Sequence, residues 1–168
     1  MSDITPYDMA AAYATFANDG LYNEPYFIDR IEDRTGKVLY QHQASPERVV
    51  DTQTARLVNQ VLISNVTGGT GRNARISNGQ VAAGKTGTTQ ESADVWFVGY
   101  TPQLSTAIWM GAPDARISLA NAGLGGATGG RFPATTWGHL YSALFADQPL
   151  VDFPAPEPGR RGRSIGKI

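Results

Sequence analysis

The chain has 168 residues, enough for one domain with its own core, and its 14 Lys and Arg against 15 Asp and Glu leave a formal charge of -1. Without Cys, and with only His42 and His139, disulfides, thiolate nucleophiles and imidazole-rich metal sites are excluded, so neither a metal nor another cofactor is expected. The near-neutral balance gives no footprint for nucleic acid, no apolar run reaches membrane-spanning length, and the opening residues lack the basic and apolar regions of a signal peptide.

Thr5 is placed to cap a first helix, with Pro6 at its first position and Asp8 three residues after the cap. Met9, Ala12, Tyr13, Phe16 and Ala17 form its apolar stripe, and Asn18-Asp19-Gly20 ends it. Two short strands are expected at 27–31 and 37–40, joined through Asp33-Arg34-Thr35-Gly36 as a surface hairpin. A second helix follows Asp51 and is expected to bury Ala55, Val58, Val61 and Leu62 before a long loop rich in Gly and Asn. Strands follow at 80–88, 94–100 and 105–111, with connections short enough for antiparallel neighbours. The Gly-rich stretch 121–130 leads to a last helix from about Pro133, with Trp137, Leu140, Tyr141, Leu144 and Phe145 on the face laid across the three strands. The expected division is a domain at 1–147 and a disordered tail at 148–168, rich in Pro, Gly and Arg with almost nothing to bury.

Residues 79–86, G-Q-V-A-A-G-K-T, fit the phosphate-loop pattern G-x-x-x-x-G-K-[ST] letter for letter. A phosphate loop works only where a buried strand enters the turn and a helix starts at the Lys-Thr, aiming free N–H groups at the phosphates. Here the preceding residues are polar loop and those after Lys85 lead to another strand, so the nucleotide reading is rejected. On a strand, Lys85 and Gly87 face one way and Thr86 the other, and the missing side chain of Gly87 lets another element or a ligand come close. That suits the wall of a cleft.

K-T-G belongs with S-x-x-K and S-x-N in the penicillin-interacting serine enzymes. The blocks "ITPYDMAAAYATFANDG", "RIEDRTGKVLY", "AAGKTGTT", "DVWFVGYTPQLSTAIWMG" and "PATTWGHLYSAL" together resemble the C-terminal part of a class A penicillin-binding protein transpeptidase domain, over residues 1 to about 147. The resemblance implies an α+β, β-lactamase/transpeptidase-like fold, an antiparallel sheet covered by helices, here as an incomplete C-terminal half. It implies a serine enzyme that takes a peptidoglycan stem ending in D-Ala-D-Ala, releases the last D-Ala and passes the acyl group to an amine of a neighbouring stem, with β-lactams as mimics. It also implies an extracytoplasmic location, with a membrane anchor upstream of this chain.

On that pattern Lys85 supplies positive charge and proton handling, Thr86 and Thr88 hydroxyls hold the terminal carboxylate, and the Thr88 N–H joins an oxyanion hole. Gly87 has a steric role, and Thr89 closes the substrate-binding stretch before the chain turns at Gln90. The only S-x-x-K, Ser164-Ile165-Gly166-Lys167, falls in the tail and is rejected as the nucleophile, and no S-x-N occurs. The first two motifs and their strands are therefore expected in a preceding half of the domain, which this chain requires as a partner. Without that half, an apolar face including Val95, Phe97, Ile108 and Trp109 is expected to be partly uncovered. A serine β-lactamase, a D-Ala carboxypeptidase and a non-catalytic penicillin-binding-like fragment are the alternatives carried by the same motif.

Overall fold

The computed structural model describes residues 4–113 and 115–158. Helix α1, Pro6–Ala17, starts as its sequence dictates: Thr5 Oγ1 accepts from the Asp8 N–H at 3.1 Å and the Asp8 carboxylate accepts from the Thr5 N–H at 3.3 Å. This reciprocal cap is worth about 1 kcal/mol. The helix stops where Asp19 and Gly20 enter the left-handed region, at φ 52 and 86. Gly20 is required twice over, because a Cβ there would also lie 2.1 Å from the Val50 carbonyl oxygen.

Strand β1, Leu21–Tyr22, pairs with β4, Glu47–Arg48, and between them β2, Arg30–Glu32, pairs with β3, Val38–Gln41, all antiparallel. The hairpin is displaced from its expected bounds because its turn closes on Asp33, whose Oδ1 accepts from the N–H groups of Thr35 at 2.7 Å and Lys37 at 3.0 Å. Pairing therefore begins beside Asp33, and Phe27 stacks on Tyr7 of α1 instead of joining the strand.

Helix α2, Thr52–Gly68, is capped by Asp51, which accepts from the Thr54 N–H at 3.1 Å. Its buried positions are Ala55, Asn59 and Val66, whereas Val61, expected inside, is 65% exposed. A polar residue occupies the stripe because it is fully used: Asn59 accepts from the Tyr100 hydroxyl at 2.6 Å and donates to the Phe16 carbonyl at 3.0 Å.

The main sheet runs β5, Ala83–Thr88; β6, Asp94–Tyr100; β7, Ser105–Gly111, antiparallel throughout in that order. Helix α3, Phe132–Leu144, covers the face shared by the register partners Thr86, Phe97 and Ile108. Trp137 meets the Phe97 ring edge-on, stacks on Tyr141 at 3.6 Å, and the Tyr141 hydroxyl pairs with that of Thr106 at 2.9 Å. Burial pushes the Tyr141 phenol up to about 12. Leu140 and Leu144, expected on the inner face, are exposed instead, and Pro133, Ala134 and Gly138 take the inward positions. Small residues there let the helix approach closely: a Cβ on Gly138 would lie 2.6 Å from the Asn73 carbonyl oxygen. The apolar face expected to be open is largely closed, with Val95 and Phe97 fully buried and Ile108 and Trp109 partly so. Val95 clusters with Leu119 and Ala127, which lie between β7 and α3.

The first part of the tail differs most from expectation. Residues 148–158 lie on the body, tied by two reciprocal side-chain clamps. Gln80 donates to the Val151 carbonyl at 2.6 Å and accepts its N–H at 2.9 Å, and Gln53 does the same for Glu157 at 2.9 and 2.8 Å. Phe153 meets Tyr100 edge-on at 5.5 Å. Strand β5 begins at Ala83 and not at 80, and Gln80 serves the clamp instead. The S-x-x-K match at 164–167 lies outside the described residues. Within them, no helix is long and apolar enough to cross a membrane.

Candidate functional site

Strand β5 carries K-T-G-T as Lys85, Thr86, Gly87 and Thr88, and it pairs with β6 on one side only; among the described residues its other edge is unpaired. Lys85 and Thr86 lie within the strand, and no helix starts at them, so the phosphate-loop geometry is not formed. Strand alternation puts the side chains of Thr86 and Thr88 on the α3 side and that of Lys85 on the other. Lys85 is exposed, its ammonium donating to the Thr86 carbonyl at 2.8 Å.

Thr86 and Thr88 line a cleft of about 770 Å³. Its second wall is the end of α2 and the turn beyond it, with Thr70, Arg72 and Asn73; its third is the approach to α3, with Thr128, Gly130 and Arg131. Hydroxyl bonds order the first two walls. Thr70 bonds Thr86 at 2.7 Å and donates to Asn65 at 3.0 Å, so Thr86 is the donor between the threonines. Asn65 in turn donates to the Gly84 carbonyl at 2.8 Å, tying α2 to β5. On the third wall, Thr88 Oγ1 accepts from the Gly129 N–H at 3.0 Å, which leaves its own O–H to donate into the cleft.

Gly129 and Gly130 make that third wall possible. A Cβ on Gly129 would lie 2.2 Å from the Trp96 carbonyl oxygen and 2.5 Å from that of Gly87, and one on Gly130 would lie 2.3 Å from that of Thr70. Asn73 donates to the Gly130 carbonyl at 2.8 Å and joins the second wall to the third. Arg131 donates to the Gly125 carbonyl at 3.2 Å with its guanidinium over the Phe132 ring. The lining, among the described residues, contains two arginines and no carboxylate. Among the described residues no cluster of three or more metal-ligating side chains occurs.

The structure thus brings Thr86 and Thr88 together on one cleft, with Gly87 between them against the Gly129 backbone. Lys85 is separated from them across the strand, and Thr89 lies outside the lining, its hydroxyl accepting from the Asp94 N–H at 2.9 Å to close the β5–β6 connection. Sequence reading missed Thr70, Arg72, Asn73, Thr128, Gly130 and Arg131. The available signal was the pair of glycine clusters, 68–71 and 129–130, which mark close backbone approach.

A K-T-G strand at the edge of a helix-covered antiparallel sheet is the arrangement of the penicillin-interacting serine enzymes. The family model described as "Penicillin binding protein transpeptidase domain" matches residues 2–112, and the chain belongs to that family. It is 37% identical over 150 residues to penicillin-binding protein 1A of Clostridium acetobutylicum, covering 88% of this chain and 17% of that protein. It is 39% identical over 117 residues to penicillin-binding protein 2a of Streptococcus pneumoniae, covering 66% of this chain and 16% of that protein. The chain therefore spans under a fifth of the length of these two curated relatives. Among solved structures, it is similar to the penicillin-binding protein PonA1 of Mycobacterium tuberculosis, both alone and in complex with penicillin V, at a TM-score of 0.79 and 31% identity, over 91% of this chain and 41% of that one.

Proposed function

We propose that this chain forms the K-T-G wall of a serine D,D-transpeptidase that cross-links peptidoglycan stem peptides outside the bacterial cytoplasmic membrane and is acylated by β-lactams. The observation that carries the reading is the hydroxyl arrangement on β5. Thr88 is an acceptor toward Gly129 and hence a donor toward the cleft, and among the described residues the lining beside it holds two arginines and no acid. Such a wall attracts the terminal carboxylate of a D-Ala-D-Ala stem, or the carboxylate of a penicillin.

In that reading the Thr88 hydroxyl donates to the carboxylate, with Thr86 beside it and its own proton given to Thr70, and the Thr88 N–H helps stabilise the oxyanion that forms as the serine attacks the penultimate carbonyl. Gly87 keeps the strand slim enough to be approached. Lys85, on the opposite face and at the surface, supplies positive charge to the proton-handling side of the site. Attack gives an acyl-serine and releases D-Ala, and an amine of a neighbouring stem then takes the acyl group.

The test joins this chain to the S-x-x-K- and S-x-N-bearing segment of a family member and follows acylation by a fluorescent penicillin. The joined protein is expected to label, and Lys85→Ala to slow labelling by about 10²–10⁴, the usual contribution of an acid–base group. Labelling of Lys85→Ala at the unsubstituted rate would overturn the assignment.

A further inference from the structure

From the cleft beside β5 we infer that Arg72 and Arg131 are specificity-determining residues, which select acyl donors ending in a free carboxylate over those ending in a neutral carboxamide. The inference rests on the proposed placement of the stem peptide against Thr86 and Thr88. Its basis is separate, since neither arginine lies on the K-T-G strand. Arg72 opens the short 3-10 turn Arg72–Ala74 that follows α2, and Arg131 stands at the entry to α3.

Two features give these guanidiniums a ligand-directed role. First, the described ion pairs are Arg30 with Glu32 and Arg56 with Asp19, so neither cleft arginine is neutralised by an acid among the described residues. Second, Arg131 is oriented by its bond to the Gly125 carbonyl and by the Phe132 ring, a contact that uses one N–H and leaves the rest of the fork for another acceptor. A guanidinium matches a carboxylate bidentately. Thr86 is committed as donor to Thr70, so of the two cleft threonines on β5 only Thr88 offers a free hydroxyl proton, one donor for the two oxygens of a carboxylate. The arginines supply the remainder. A carboxamide gains less from them, because it carries no charge and its NH₂ group would face donors.

The cleft is built wholly from described residues of this chain, so the test needs no covalent chemistry. Binding of N-acetyl-D-Ala-D-Ala and of its C-terminal carboxamide is followed by NMR, through the backbone amides of Thr86, Gly87 and Thr88 and the Nε–H signals of the arginines. The carboxylate probe is expected to shift the β5 amides and both arginine signals, with affinity falling as salt is added. Arg72→Gln and Arg131→Gln should each weaken it roughly 3- to 10-fold, the range for an exposed charge-assisted bond. Binding of the carboxamide should change little, Arg131→Lys should recover part of the loss, and Arg34→Gln, a surface change in the hairpin turn, should do nothing. Unchanged β5 amide spectra of the free variants exclude a folding defect as the cause. If the carboxylate probe shifts β5 but the glutamine variants bind it as tightly, or lose the carboxamide equally, the arginine assignment is wrong and the proposed site stands. If neither probe shifts Thr86–Thr88, the placement of the stem peptide is wrong and the arginine role falls with it.

Discussion

Replacing Gly129 by Ala tests whether the third wall of the cleft is held by backbone contact. The added methyl would sit 2.2 Å from the Trp96 oxygen, 2.5 Å from the Gly87 oxygen and 2.9 Å from the Gly87 nitrogen, all main-chain atoms of two paired strands. None of them has a rotamer to yield. The loop must therefore lift off β5, which costs about 1–3 kcal/mol as over-packing and breaks the Gly129-to-Thr88 bond for about 0.5–1.5 kcal/mol more. The expected loss is about 1.5–4.5 kcal/mol of stability, together with displacement of Arg131 from the cleft. Gly125→Ala is the matched control: its Cβ meets nothing within 4 Å and its φ is not positive, so a change within about 0.5 kcal/mol is expected. Urea unfolding followed by tryptophan fluorescence measures both, with Trp96 at the contact as reporter. If Gly129→Ala matches Gly125→Ala, the loop is not seated on the strand and the cleft as described does not exist.

Two further outcomes concern the whole chain. Purified by itself, the chain should form no covalent adduct with a fluorescent penicillin, since its only S-x-x-K is the rejected tail match; an adduct mapped to any of its serines would contradict this. Stability should fall on acidification in part through Asp19, which accepts from Arg56 Nε at 3.0 Å and Nη2 at 2.6 Å between the end of α1 and α2. The Arg56 hydrogen bond holds the Asp19 carboxyl below its ordinary 3.8. With the folded value depressed, this contribution is fully present above the unfolded value near 3.8 and is lost as pH falls through the lower folded one. It should amount to about 1 kcal/mol for a bidentate pair whose side chains are 26% and 28% exposed. Asp19→Asn keeps a residue tolerant of φ 52 and should flatten that part of the acid limb in urea titrations; an unaltered pH dependence would show the pair to be idle.

The elements legible in the sequence were those whose signals are local. The Thr5 cap, the helix start after Asp51, the Asn18–Gly20 stop and the strand at 94–100 depend on residues within a turn or a strand of one another, and all appear where expected. Misjudged positions were those whose environment is tertiary. Val61, Leu140 and Leu144 are as apolar as the residues that were buried, yet helix phase turns them outward once Asn59 is satisfied by Tyr100 and Phe16, and once Gly138 meets the turn after α2. Residues 148–158 were misread because their anchors are two glutamines, Gln53 and Gln80, lying 104 and 71 positions from their partners. Composition carries no trace of such clamps.

The same distinction runs through the cleft. The K-T-G wall was legible because its chemistry is written in consecutive residues of one strand, whose alternation alone separates Lys85 from Thr86 and Thr88. The facing walls come from segments 16 positions before Thr86 and 41 positions after Thr88, joined to β5 through the Thr70 hydroxyl and the Gly129 amide. No periodicity marks them, because glycine loops have none. What they contribute is position: glycines that admit backbone to within van der Waals contact, and two arginines carried in beside them. On the proposed placement of the carboxylate, charge selection by this cleft is a property of loops seated on the motif strand, and exchanging residues 72 and 131 changes the preferred ligand charge with K-T-G-T intact.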